Sequence, residues 1–214
     1  MIKVSAFRWV PPFAQGLVRD LRVRSALEEA GLPYEQQLIG PEEQKSAAYR
    51  ARQPFGQVPA YEEDGLVLFE SGAIVLHIAE RSDALMPSEP TARARTKTWM
   101  FAALNTVEPP ILFLNQIDMQ KGGADPAQRE AVAARVKMRL ASLSERLEGR
   151  DYLEERFTAS DLLMTSVLRI LRRTDMVAQM PVLEAYRLRC EARPAFQKAL
   201  ADQMANFAAN APPA

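Results

Sequence analysis

The sequence holds one cysteine, Cys190, and one histidine, His77, in 214 residues. A single thiol cannot close an internal disulfide. Together the two cannot supply a CxxC redox pair or a Cys/His zinc cluster. Any metal would need carboxylates alone, and none are suitably clustered, so no metal is expected. Net charge is also missing: 27 Lys plus Arg balance 27 Asp plus Glu. This removes the electrostatic reason to expect nucleic acid or an anionic membrane as partner. No apolar run approaches the roughly 20 residues that cross a bilayer, and the opening MIKVSAFRWV has no signal-peptide core. A cytoplasmic protein is expected.

What is present suits folding. Hydrophobic residues make up 48% and charged residues 25% of the chain, ordinary values for a soluble core with a solvated surface. The length allows one or two domains.

The first 80 residues change period repeatedly, as short strands alternating with helices would. Residues 2–7 alternate as a strand, which Pro11 and Pro12 end, since neither can donate to a ladder. From 14 to 30, Leu17, Leu21, Val23, Ala26, Leu27 and Ala30 recur at helical spacing, with Gly31 placed to cap. Residues 34–39 form a second strand and 42–51 a short polar helix. Residues 57–61 and 66–69 are strands joined through Asp64-Gly65, a hairpin signal, and Ser71 caps a helix to about 79. The order is βαβαββα.

Composition shifts after Arg81, and Pro87 and Pro90 mark a linker. Beyond it every segment has helical period: 91–104 continuing past Pro109 and Pro110 toward Met119, then 126–147, 158–171, 181–191 and 194–207. Thr158 and Asp161 have the spacing of a capping box. The terminal NAPPA is expected to fray.

Residues 53–80, QPFGQVPAYEEDGLVLFESGAIVLHIAE, resemble the glutathione-binding half of the cytosolic glutathione transferase family. There a Pro-x-Gly-x-Val-Pro turn precedes a hairpin, and a Glu-Ser pair opens the next helix. The likeness extends to RVRSALEEAGLPYE from Arg22, to FTASD from Phe157 and to RPAF from Arg193, nearly the whole chain. It implies a thioredoxin-like βαβαββα domain over 1–82, a linker over 83–90 and an all-helical domain over 91–214. It also implies glutathione as co-substrate, a hydrophobic small molecule as second substrate and a homodimer.

The same resemblance assigns glutathione-binding roles to Gln57, Val58, Pro59, Glu70 and Ser71. A cis bond before Pro59 turns the Val58 backbone outward to pair strand-like with the cysteinyl unit. Ser71 at a helix N-terminus favours the γ-glutamyl carboxylate, Glu70 attracts its ammonium, and Gln57 lies toward the glycyl end. Trp99, Met100 and Phe113 fall on helices that line the second-substrate pocket in the family.

The catalytic position departs from the family pattern. Family members lower the thiol pKa with a hydroxyl or Cys just after the first strand. Here RWVPPFAQG contains no Ser, Thr, Tyr or Cys, and alignment on Arg22 puts Leu17 or Val18 where Ser would stand. Ser5 falls inside the strand. The polar candidates are Trp9, through its indole N–H, and Arg19, as a cation, beside backbone N–H groups of the first helix. His77 and Cys190 read as structural, and Arg169, Arg172 and Arg173 as a solvated helix face. Three functions follow: conjugation of glutathione to a hydrophobic electrophile, glutathione-dependent disulfide reduction or peroxide reduction, and a non-catalytic protein-binding adaptor.

Overall fold

The computed structural model describes residues 1–120, 123 and 125–212. The last two residues of the NAPPA tail lie outside that range. The chain forms two compact units, Met1–Met86 with Arg193–Ala214, and Pro87–Ala192.

In the first unit, β1 (Ile2–Phe7), β2 (Tyr34–Ile39), β3 (Ala60–Glu63) and β4 (Leu66–Phe69) form one sheet in the order β2-β1-β3-β4. β1 runs parallel to β2 and antiparallel to β3, and β3 and β4 make the hairpin. The parallel pair is joined through α1 (Asp20–Ala30), which Gly31 ends at φ 66°. Between β2 and β3 lie α2 (Pro41–Lys45) and α3 (Ala47–Arg50), and α4 (Ser71–Ala79) follows β4. This is the expected thioredoxin-like order.

The expected last domain of 91–214 differs at its end, because α10 (Pro194–Ala209) belongs to the first unit. Its Phe196 and Ala199 share a core cluster with Leu21 of α1. Arg193 grips Glu29 through two hydrogen bonds of 2.5 and 2.7 Å, and Gln203 Nε2 donates to the buried Asp20 at 2.9 Å. Burial pushes the Asp20 carboxyl up, opposed by the Arg24 guanidinium 2.6 Å away.

Three boundaries moved for local reasons. The helix expected from residue 14 starts at Asp20, because Gly16 takes φ 75° and residues 11–17 close successive turns, Ala14 N–H to Pro11 and Leu17 N–H to Ala14. The helix over 42–51 is two, broken at Ser46, whose backbone is extended and whose Oγ caps Tyr49. The strand expected at 57 begins at Ala60, because Pro59 lacks an N–H and the polar backbone of Gln57 bonds elsewhere.

The second unit is helical: α5 (Pro90–Ala102), α6 (Glu108–Asp118), α7 (Pro126–Leu147), α8 (Ala159–Leu168) and α9 (Pro181–Glu191). Between α5 and α6 the turn widens to π geometry over Ala103–Val107, with Glu108 N–H reaching back to Ala103. Pro109 and Pro110 force this, since neither can donate and each ring would clash with an α-helical carbonyl four residues back. The capping box opens α8 as expected. Asp161, fully buried, accepts from the N–H of Leu153 and Thr158, both at 2.9 Å, and from the Tyr186 hydroxyl at 3.0 Å. Among the described residues no helix is long and apolar enough to cross a membrane.

Candidate functional site

Strand alternation turns Ser5 and Phe7 to the face of β1 opposite Val4 and Ala6. On that face Ser5 meets α3. Its hydroxyl lies 2.7 Å from the Tyr49 hydroxyl, Tyr49 donates to the Gln57 carbonyl at 2.6 Å, and Ala60 N–H donates to Ser5 Oγ at 2.7 Å. Because Tyr49 spends its one proton on Gln57, Ser5 must donate to Tyr49. A one-way chain therefore runs Ala60, Ser5, Tyr49, Gln57. Burial pushes the Tyr49 phenol up from its ordinary value, against the hydrogen bond from Ser5.

This network clamps both ends of the Val58-Pro59 pair, whose bond is cis as the resemblance implied. A second clamp is the buried Gln53, whose Oε1 accepts from Phe55 N–H at 2.8 Å and Gln57 N–H at 3.1 Å. The Val58 side chain packs with Ile39 and Tyr49. Neither its N–H nor its C=O is taken up by another backbone group among the described residues. The Gln57 side chain is exposed.

Ala60 pairs with Phe69 in the hairpin, which sets residues 58–59 beside residues 70–71 at its open end. Glu70 holds φ 68° and ψ 110°, left-handed backbone that a Glu adopts only under constraint. Its carboxylate is exposed and makes no ion pair or hydrogen bond among the described residues. Ser71 is buried, starts α4, and accepts a hydrogen bond from Arg22 Nη1 of α1 at 3.4 Å. The first-turn N–H groups of α4 carry the positive end of its dipole beside that hydroxyl. A backbone edge that no other backbone group pairs, a carboxylate without hydrogen bond or ion pair, and a positive helix terminus thus lie together among the described residues. Such a set can hold an extended zwitterionic peptide.

Ser5 is committed to the network and cannot face a ligand. Trp9 lines a cleft of about 310 Å³ with Phe7, Arg8, Ile39, Gly40 and Gln44. Arg19 immediately precedes α1 with helical dihedrals and is half-buried. The N–H groups of Leu21 and Arg22 already pair with the Val18 and Arg19 carbonyls, so those two amides are not free to stabilise a thiolate. In the second unit Met100 is a core residue, Phe113 is 43% exposed, and Trp99 lies under the Arg146 guanidinium at 5.5 Å. Arg146 also bonds Glu154, which ties that ring into the helical packing. His77 packs edge-on against Tyr61 with Nε2 4.0 Å from Glu63, a structural setting.

The glutathione S-transferase N-terminal domain family matches residues 15–80. Glutathione S-transferase 3 of Zea mays is 32% identical over 199 residues, covering 85% of this chain and 88% of that protein. The chain belongs to the glutathione S-transferase family of enzymes. It is also 28% identical over 193 residues to a maleylacetoacetate isomerase of Rhizobium meliloti, covering 85% of this chain and 91% of the relative. Among solved structures, a Burkholderia graminis glutathione transferase with two glutathione molecules bound per subunit superposes at TM-score 0.79. That pair is 25% identical, covering 93% of this chain and 87% of the other.

Sequence reasoning missed two members of the site, Arg22 and Tyr49. Each acts across more than 40 residues of sequence, Arg22 on Ser71 and Tyr49 on Ser5. The available signal for Arg22 was a cation placed among the apolar positions of the first helix.

Proposed function

We propose that this transferase-family protein joins the thiol of glutathione to a hydrophobic electrophile. The observation that carries the reading is the Val58 backbone edge set beside Glu70 and Ser71 at the open end of the hairpin. The Val58 N–H and C=O pair with the cysteinyl unit, α4 takes the γ-glutamyl carboxylate, Glu70 takes its ammonium, and Gln57 lies toward the glycyl end. The relatives' names support the chemistry. Attack by the thiolate forms a carbon–sulfur bond, expels the leaving group with its electron pair and releases the thiol proton to solvent. No side-chain hydroxyl lies in residues 8–16, so Trp9 and Arg19 are the groups to test for thiol activation. Phe113 and Trp99 are the second-unit side chains to test for electrophile binding.

Self-association belongs to the same proposal. Phe55, 66% exposed, meets the edge of Phe69 at 6.0 Å, and Leu66 and Val67 on the same hairpin are also exposed. An apolar patch of this kind suits contact with a second copy. We place the enzyme in the cytoplasm.

The deciding experiment measures chloride displacement from 1-chloro-2,4-dinitrobenzene at saturating glutathione, beside reduction of a disulfide substrate. Saturable conjugation supports the reading. Disulfide reduction without conjugation would support the second reading, which the missing hydroxyl favours. Neither activity together with no glutathione binding would leave the adaptor.

A further inference from the structure

We propose that Arg22 is a positioning residue for the γ-glutamyl carboxylate of bound glutathione, acting through the Ser71 hydroxyl. The inference rests on the glutathione reading above. Its basis is the buried contact in which Arg22 Nη1 donates to Ser71 Oγ at 3.4 Å, both residues being 5% exposed. A guanidinium cannot lose its proton in a protein and cannot accept a hydrogen bond. Ser71 Oγ therefore serves Arg22 as acceptor, and its own proton is left to donate elsewhere. Free to choose, a helix-opening serine can either donate or accept. Here the contact takes one of the two acceptor sites and leaves the proton available to an anion at the α4 terminus.

The donor is a permanent cation, so the bond it gives the Ser71 hydroxyl is charge-assisted. Arg24, one turn-half further along α1, differs in kind. It is 1% exposed and gives its charge to Asp20 at 2.6 Å, on the side where α10 packs. Two buried arginines of one helix thus serve different neighbours, Arg24 the packing of α10 and Arg22 the opening residue of α4.

This role predicts selectivity toward one group of the ligand. The probe is 4-aminobutyryl-cysteinyl-glycine, which keeps the ammonium and thiol of glutathione and lacks only the α-carboxylate. Titration calorimetry on the full-length protein compares both ligands for wild type, R22Q and R22K. Removing the charge-assisted bond should weaken glutathione about tenfold and leave analogue affinity unchanged. R22K, which keeps the cation but alters its reach, should lose about threefold for glutathione alone. Circular dichroism identifies any unfolded variant, and R22K carries the comparison if R22Q does not fold. Combined with S71A, the R22Q effect should shrink to less than twofold, because the intermediary hydroxyl is gone. Equal losses for both ligands, or an unchanged preference in R22K and R22Q, would overturn the role alone. A wild type that binds neither ligand would overturn the glutathione reading itself.

Discussion

On the proposed reading, Glu70 sets stability against function at the scale of one residue. Its φ of 68° costs a β-carbon-bearing residue on the order of 1 kcal/mol, and its carboxylate makes no hydrogen bond or ion pair among the described residues in return. Glycine would relieve the backbone. Glu70→Gly should therefore leave the urea midpoint unchanged or raise it by up to about 1 kcal/mol in stability, while glutathione binding weakens about tenfold. Calorimetry and denaturation on the same sample check both halves, and a parallel loss of stability and affinity would contradict the assignment. Tyr49 shows the opposite case. Tyr49→Phe strips the hydroxyl that joins Ser5 to Gln57, leaves the buried Ser5 hydroxyl without its acceptor, and should cost about 1–3 kcal/mol. Because the same bond clamps Val58-Pro59, glutathione affinity should fall with it.

At the scale of elements, α8 depends on a single buried carboxylate. Asp161 caps the helix and serves Leu153 and Tyr186 at once. Asp161→Ala would strand two N–H groups and a phenol, so a loss of about 3 kcal/mol or more is expected by urea denaturation. Loss below about 1 kcal/mol would mean that water replaces the carboxylate. Elements whose signals are local were legible in the sequence. β1, β2, β4, α4, α7 and α9 end where alternation, caps and prolines said they would. Those set by non-local needs were not. Helical spacing from residue 14 could not reveal that Gly16 would turn the chain, and at the β3 start the Ala60 N–H is taken by Ser5, 55 residues earlier, while Tyr49 captures the Gln57 carbonyl. The site divided in the same way. Its turn, hairpin and Glu-Ser pair were visible as one contiguous stretch, whereas Arg22, Tyr49 and the commitment of Ser5 required the fold.

At the scale of the whole molecule, the last helix matters out of proportion to its position. α10 completes the core of the first unit around Leu21, Phe196 and Ala199. A fragment ending at residue 192 should then lose cooperative melting of the first unit, read by hydrogen exchange in α1, while a fragment retaining α10 keeps it. Alkaline stability has a worked sign. Burial raises the Tyr34 and Tyr61 phenols to about 12 from 10.0. Folding therefore favours their protonated forms; that contribution is complete below pH 10 and is lost as pH rises toward 12. Urea midpoints should fall across that window, and Tyr34→Phe should flatten the fall. Light scattering should give a mass near twice the 23.9 kDa chain, and Phe55→Ser should lower it toward the monomer.

The central claim concerns where glutathione lies, and a crystal structure with glutathione soaked in tests it most directly. The expected density runs antiparallel to Val58 with the γ-glutamyl carboxylate within about 3.5 Å of the Ser71 hydroxyl and the α4 amides. Its ammonium should face Glu70, and the sulfur should lie toward residues 8–19. Density for the tripeptide elsewhere on the molecule, or a site at residues 57–71 that stays empty at saturating glutathione, would contradict it.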